Sequence, residues 1–302
     1  MTLLAIVGPT ASGKSAAGIA VAERLGAEIV SVDSMLLYRG MDVGTAKPSP
    51  AERARVPHHL IDVAEAGESF SVQRYQALAR EALDGIAARG HRALLVGGSG
   101  LHLRAVADGL EFPATDPALR AGLEAEAELV GASALHARLA AADPAAAAKI
   151  EPGNVRRTVR ALEVAAVTGR SFSSFAGDWG SYPTQRLRAA GIDVPRPVLD
   201  ARIERRVHAM LDAGFLDEVR RLQSEGRLGH RTSGQAIGYA AFAAHLRGEC
   251  SIEDAIAATV KRTRALARRQ LAWFRRDPRI RWFPAADGAA GIVEDLVDHL
   301  AS

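Results

Sequence analysis

Leu3-Leu4-Ala5-Ile6-Val7-Gly8-Pro9-Thr10-Ala11-Ser12-Gly13-Lys14-Ser15 is an apolar strand that runs straight into G-x-x-x-x-G-K-S and then into a helical pattern. Such a loop is a phosphate cradle. Its backbone N–H groups converge at the positive end of the following helix, the lysine reaches the phosphate oxygens, and the next hydroxyl can ligate Mg2+. The pattern predicts an α/β fold with a P-loop NTPase-like core. Gly8, Thr10, Ala11, Ser12, Gly13, Lys14 and Ser15 are its candidate diphosphate-binding residues, and Ser15 is the candidate Mg2+ ligand. The loop alone names no reaction.

Working outward, the helix from about Ser15 to Leu25 ends at Gly26, and Glu28 to Val32 reads as a second strand that delivers Asp33 at its C-terminal end. A third buried strand, Ala93 to Val96, follows a helical segment around Gln73 to Arg89 and opens into Gly97-Gly98-Ser99-Gly100. Ligands of open parallel sheets sit at the C-terminal strand ends, so the three strands converge on one crevice. From Asp116 the composition turns to Ala, Leu, Glu and Arg, with helical spacing through Leu119, Leu123, Leu135 and Leu139 that continues to about Ala166. This reads as a helical insert. A strand near Leu187 to Val194 returns the chain to the sheet, and helices from about Leu199 to the end close it. The expected partition is a parallel-sheet core with flanking helices, residues 1–113 and 186–302, and an all-helical insertion domain, residues 114–185.

A chain of 302 residues that is 48% apolar can bury a full core. No apolar run approaches the roughly 18 residues of a membrane span, so a cytoplasmic protein with no membrane partner is expected. Its single cysteine, Cys250, excludes an intramolecular disulfide and a cysteine-cluster metal site, and is expected to pack in the interior. Net charge is only +3, yet nine Lys or Arg residues lie between Lys261 and Arg281 against Asp277 alone, which points to a polyanionic partner.

A P-loop ATPase or GTPase would place a magnesium-binding aspartate after a distant apolar strand, but Leu94-Leu95-Val96 ends in Gly97. Asp33 is the carboxylate at the crevice. It can hold Mg2+ or take a proton from an acceptor as general base, and an aspartate after a strand also caps turns. The residues themselves leave these open.

Taken together, the segments resemble the tRNA dimethylallyltransferases, also called tRNA isopentenyltransferases, over nearly the whole chain. The resemblance rests on Gly8 to Ser15, Asp33-Ser-Met-Leu-Leu-Tyr38, Arg39 to Lys47, His58-His-Leu-Ile-Asp62, Val96 to Arg104, Arg160-Ala-Leu-Glu163, Arg202-Ile-Glu-Arg-Arg-Val207, Ile237-Gly-Tyr239 and Arg268-Arg-Gln-Leu-Ala-Trp273. It implies transfer of a dimethylallyl group from its diphosphate to N6 of the adenosine 3′ of the anticodon, in a channel that the diphosphate and the base enter from opposite ends. An adenine amine is a poor nucleophile, so a carboxylate accepting its proton lowers the barrier. By resemblance that residue is Asp33, while Ser99, Arg206 (with Arg202 second), Lys14 and a Mg2+ cofactor stabilise the leaving diphosphate. The candidate tRNA contacts are Asp33, Ser34, Met35 and Leu36 beside the base, Arg120, and Arg156, Arg157, Thr158, Val159 and Arg160 in the insert. The implied partners are the tRNA anticodon loop and dimethylallyl diphosphate, and nothing requires an oligomer, so a monomer is expected.

Four positions depart from the family pattern: Leu36 replaces a glutamine, Ser99 a threonine, His102 a tyrosine and Ala241 a glutamate. In the C-terminal helix Ile256, Val260, Ala267, Leu271 and Phe274 can form an apolar stripe, with Lys261, Arg264 and Arg268 on another face available to a phosphate backbone. Trp273 is expected to pack in the core. Two rival readings are a P-loop transferase or kinase acting on a free adenine nucleotide, which needs no tRNA-gripping insert, and an RNA-binding P-loop protein that has lost catalysis.

Overall fold

The computed structural model describes residues 2–183 and 187–302, and the side chains of 176–179 are not described. By contact density the chain divides into two compact units, Met1–Gly109 with Pro183–Ser302, and Leu110–Tyr182. Residues 110–113 belong with the insert, not the core as expected, because Arg160 donates to the carbonyls of Pro113 and Ala114. The expected boundary at 185 and 186 lies outside the described residues.

In the first unit β1 (Leu3–Val7) leads through the loop into α1 (Lys14–Leu25), which is capped by Gly26 in the left-handed conformation. β2 (Ala27–Ser31) follows, then three two-residue strands, β3 (Tyr38–Arg39), β4 (His58–His59) and β5 (Ala64–Glu65), with α2 (Pro50–Arg55) between β3 and β4. Next come α3 (Val72–Ala88), β6 (Arg92–Gly97) and α4 (Gly100–Ala107). The second unit holds α5 (Pro117–Val130), α6 (Ala132–Ala142), α7 (Pro144–Ala147) and α8 (Val155–Thr168). The chain then returns as β7 (Leu187–Asp193), α9 (Arg196–Asp212), α10 (Phe215–Ser224), α11 (Tyr239–Leu246), α12 (Ile252–Phe274), β8 (Ile280–Pro284) and α13 (Val293–Ala301).

Six strands form one parallel sheet in the order β4-β2-β6-β1-β7-β8. Its central strands read as continuous apolar runs because helices cover both faces, as all-parallel sheets require. Ala5, Ile6, Val7, Val30, Leu94, Leu95, Ala189 and Ile192 are fully or almost fully buried. Among the described residues no helix is long and apolar enough to cross a membrane.

β8 corrects the expectation of helices alone after Leu199. Ile280-Arg-Trp-Phe-Pro284 is short, carries an arginine and ends in proline, which cannot donate to a ladder and is tolerated here because the strand is at the sheet edge. The small β3–β5 pair was not expected either, since two residues carry no periodicity.

The second unit packs its own core from Leu123, Leu135, Leu139, Ile150, Val159 and Leu162. Asp116 caps α5 by accepting from the backbone of Ala118 and Leu119, with Pro117 in the first turn. At its centre Glu163, fully buried, accepts the Asp116 N–H at 2.9 Å and pairs with the guanidinium groups of Arg120 and Arg160. Removing one partner of such a cluster strands the others. Glu163→Ala should therefore cost about 3 kcal/mol of stability, seen as a lower urea midpoint for a transition assigned to this unit.

Candidate active site

The loop between β1 and α1 needs two left-handed residues, Ala11 at φ 63° and Gly13 at φ 90°. At Gly13 a Cβ would also stand 2.9 Å from the Ala289 side chain, so glycine is required twice over. The Lys14 ammonium donates to the Pro9 carbonyl at 3.1 Å, and the Thr10 N–H donates to the Gln270 side-chain carbonyl, from α12, at 2.8 Å. Among the described residues the buried Ser12 hydroxyl has no hydrogen-bond partner, and Ser15 is exposed. Beyond the strand ends, Val32 N–H donates to Val96 O at 2.9 Å and Ser99 N–H to Val32 O at 3.0 Å. These bonds hold Asp33 beside the Ser99 turn, and Gly97 is mandatory there because a Cβ would lie 2.3 Å from the Val32 carbonyl.

Asp33 accepts the Met35 N–H at 2.8 Å through Oδ1, so it does cap its turn. Its Oδ2 has no hydrogen-bond partner among the described residues. Lys14, Tyr75, His102 and Arg206 all lie within electrostatic reach of this carboxylate. Burial pushes the Lys14 ammonium down to about 8, opposed by Asp33 and aided by Arg206. Burial likewise lowers the Arg206 guanidinium against the pull of Asp33, and no carboxylate lies within ion-pair distance of it among the described residues. Arg202, one turn earlier on α9, instead donates to the Ala286 carbonyl at 2.8 Å. The structure thus separates the two arginines that share a helix face in the sequence. Lys14, Asp33 and Arg206 gather in one place, and Arg202 is spent elsewhere.

The segment from Asp33 to Tyr38 is held from outside by elements the sequence reading gave no role. Leu36 O accepts from Asp62 N at 3.2 Å, and Leu37 O from Val63 N at 2.8 Å and Ala64 N at 3.0 Å. The Lys47 ammonium, almost fully buried, donates to Tyr38 O at 2.7 Å and to the carboxylate of Asp62 at 2.6 Å. Glu218 accepts the backbone N–H groups of Asp42, Val43 and Gly44 and the Tyr239 hydroxyl. Gln270 and Glu218 were missed as positioning groups. Their signal was a polar residue among apolar positions on the inner face of an amphipathic helix.

Several expected nucleic-acid contacts are corrected. Thr158 and Val159 point into the core of the second unit and are 0% and 1% exposed. Arg120 and Arg160 spend their guanidinium groups on Glu163. Arg156 and Arg157 are exposed at the start of α8, and Ser34, Met35 and Leu36 are half-buried beside Asp33. On α12, Lys261 and Arg268 are exposed, but Arg264 pairs with Glu204 at 2.9 Å. Arg279 is buried between Asp108 and Asp277. The cationic run is therefore partly neutralised within the first unit. Trp273 is half-buried against Gly100, where a Cβ would overlap its ring at 1.9 Å, in line with a packing role.

Residues 36–277 match the family model described as IPP transferase. The chain belongs to the IPP transferase family. It is 53% identical over 281 residues to a tRNA dimethylallyltransferase of Streptomyces coelicolor, covering 93% of this chain and 89% of that protein. A tRNA dimethylallyltransferase of Kineococcus radiotolerans is 52% identical over 297 residues, covering 95% and 92%. The solved tRNA isopentenylpyrophosphate transferase of Bacillus halodurans is 39% identical, with a TM-score of 0.71 over 99% of this chain and 97% of that one.

The lowered Lys14 sets a pH limit on anion binding. Half of the cationic form is lost at about pH 8, so affinity for inorganic diphosphate, taken relative to Lys14→Met at each pH to cancel the ligand's own titration, should change little below about pH 7 and fall up to about tenfold per pH unit above about pH 9. Titration calorimetry from pH 6.5 to 9.5 checks this, and Lys14→Met should bind weakly with no such break.

Proposed function

We propose that this chain transfers a dimethylallyl group from dimethylallyl diphosphate to N6 of the adenosine immediately 3′ of the anticodon in tRNA. The observation that carries the reading is the gathering of Lys14, Arg206 and a half-free Asp33 where β1, β2 and β6 end. An anion bound there meets two cations, neither of which has an ion-pair partner among the described residues. A nucleophile arriving from the Asp33 side meets a carboxylate oxygen with no other hydrogen bond.

In the reaction N6 attacks C1 of the dimethylallyl group, and the C1–O bond breaks with its electron pair leaving on the diphosphate. The Asp33 carboxylate takes the N6 proton. The P-loop N–H groups, Lys14, the Ser99 hydroxyl and Arg206 oppose the charge that grows on the leaving oxygens, so they bind the transition state more tightly than the ground state. The unpartnered Ser12 hydroxyl inside the loop fits a ligand that brings acceptors.

The exposed Ser15 hydroxyl fits a Mg2+ held mainly by diphosphate oxygens and water, since among the described residues no three His, Cys, Asp or Glu side chains form a cage of their own. Bound there, the ion would neutralise part of the leaving group's charge. The proposed enzyme works as a monomer in the cytoplasm, and in tRNA the target base already lies in a single-stranded loop, which makes its extrusion cheap. Arg156 and Arg157 are the insert's proposed phosphate contacts.

Label from dimethylallyl diphosphate should enter unmodified tRNA and not competing AMP, and transfer to AMP would favour the free-nucleotide enzyme. Asp33→Asn should lower transfer by about 10²- to 10⁴-fold while tRNA affinity changes little. Replacing Arg156 and Arg157 with alanine should weaken tRNA binding. Filter binding between 50 and 200 mM salt should then show a salt slope shallower by roughly 1.4 to 1.8, because each phosphate no longer neutralised takes roughly 0.7 (single strand) to 0.9 (duplex) from it.

A further inference from the structure

Ser99 is the N-cap of α4, and its hydroxyl oxygen accepts the His102 backbone N–H at 3.4 Å. The side chain three residues into a helix often reaches back to the cap's backbone N–H. Here that donor is already taken, since Ser99 N–H bonds to Val32 O at 3.0 Å. The His102 ring bonds instead to the cap's hydroxyl, with Nδ1 2.6 Å from Ser99 Oγ. The ring is held from its other side by Tyr75, edge to face at 4.3 Å between centroids, and the Tyr75 hydroxyl is fixed on Ser31 O at 2.8 Å. His102 is 8% exposed, and burial pushes it down to about 4 although Asp33 pulls the other way, so it is neutral at physiological pH.

A hydroxyl has one hydrogen and two lone pairs. With the Nδ1–H form of the ring, Ser99 Oγ accepts from both the His102 backbone and the His102 ring, and its own hydrogen is directed away from both. With the Nε2–H form the hydroxyl hydrogen points at the ring and is lost to any ligand. The resemblance puts a tyrosine at this position, which has no ring nitrogen to play either part.

We infer that His102 is a positioning residue in its Nδ1–H form, turning the Ser99 hydroxyl hydrogen outward as a donor to the leaving diphosphate oxygen. The inference rests on the proposed prenyl transfer for its catalytic consequence, but not for the hydrogen bond itself. His102 touches no substrate; it acts through Ser99 alone, and its effect must vanish when the Ser99 hydroxyl is gone.

The test combines a turnover-independent readout with a kinetic cycle. Long-range proton–nitrogen spectra of the ¹⁵N-histidine-labelled protein should show one ring protonated at Nδ1 whose signal is absent from His102→Phe, and an Nε2–H ring at that position would overturn the assignment. His102→Phe should lower kcat about tenfold with the KM for dimethylallyl diphosphate nearly unchanged, and His102→Asn, which returns an amide donor near the Nδ1 position, should restore most of it. In a Ser99→Ala background His102→Phe should change kcat less than twofold. Equal losses in both backgrounds, or no loss in either, would overturn the inference. If the unaltered protein transfers no dimethylallyl group to tRNA, the proposed function fails, while the spectra still decide the state of the ring.

Discussion

The crevice depends on two hydrogen bonds that continue the sheet past its strand ends, Val32 N–H to Val96 O and Ser99 N–H to Val32 O. They lock the turn that carries Asp33 to the turn that carries Ser99. The register of β1 beside β6, Val7 opposite Gly97, then sets the P-loop at the same level. A parallel sheet makes this possible because its strands all point one way and release their turns on one edge. The contact is so close that it allows no side chain at Gly97. The residues proposed for the chemistry lie on those three turns and on α9, whose Arg206 is within electrostatic reach of Asp33.

Around that edge lies a layer of buried polar groups whose work is positional. Glu218 gathers three consecutive N–H groups and a tyrosine hydroxyl, and Lys47 fastens Tyr38 to Asp62. Such groups are tolerated in the interior because each is satisfied; an unpaired one would cost as much as several good contacts supply. The same economy governs the cations. Arg279, Arg264, Arg120 and Arg160 all look available in the sequence, and all are taken by carboxylates, while among the described residues Arg206 is left without one.

The parts legible in the sequence were those with strong local grammar. β1, its glycine loop and α1 announce themselves through an apolar run, fixed spacing and a capping glycine, and β2, β6, β7 and α3 fall within a residue or two of their expected bounds. β8 was hidden because five residues that hold an arginine and end in a proline carry too little pattern, and its pairing with β7 reaches across about 90 residues. Asp33 and Lys14 were legible because strand ends and P-loops have stereotyped positions. The choice between Arg202 and Arg206 was not, since helical spacing puts both on one face and only the Ala286 carbonyl distinguishes them. Thr158 and Val159 were misplaced for the opposite reason. They adjoin exposed arginines in sequence, but a helix turns about 100° per residue and carries them inward.

The amide of Gln270 reaches the Thr10 N–H across a sequence separation of 260 residues, and Trp273 lies on Gly100 from the same helix. A ribosome delivers the phosphate loop first and its brace near the end. Until α12 has been made and docked, the nascent chain carries the right loop sequence without the contact that fixes its shape. The braced form of the glycine loop is therefore acquired late in synthesis, and an incomplete chain released before α12 would carry the loop without its Gln270 contact.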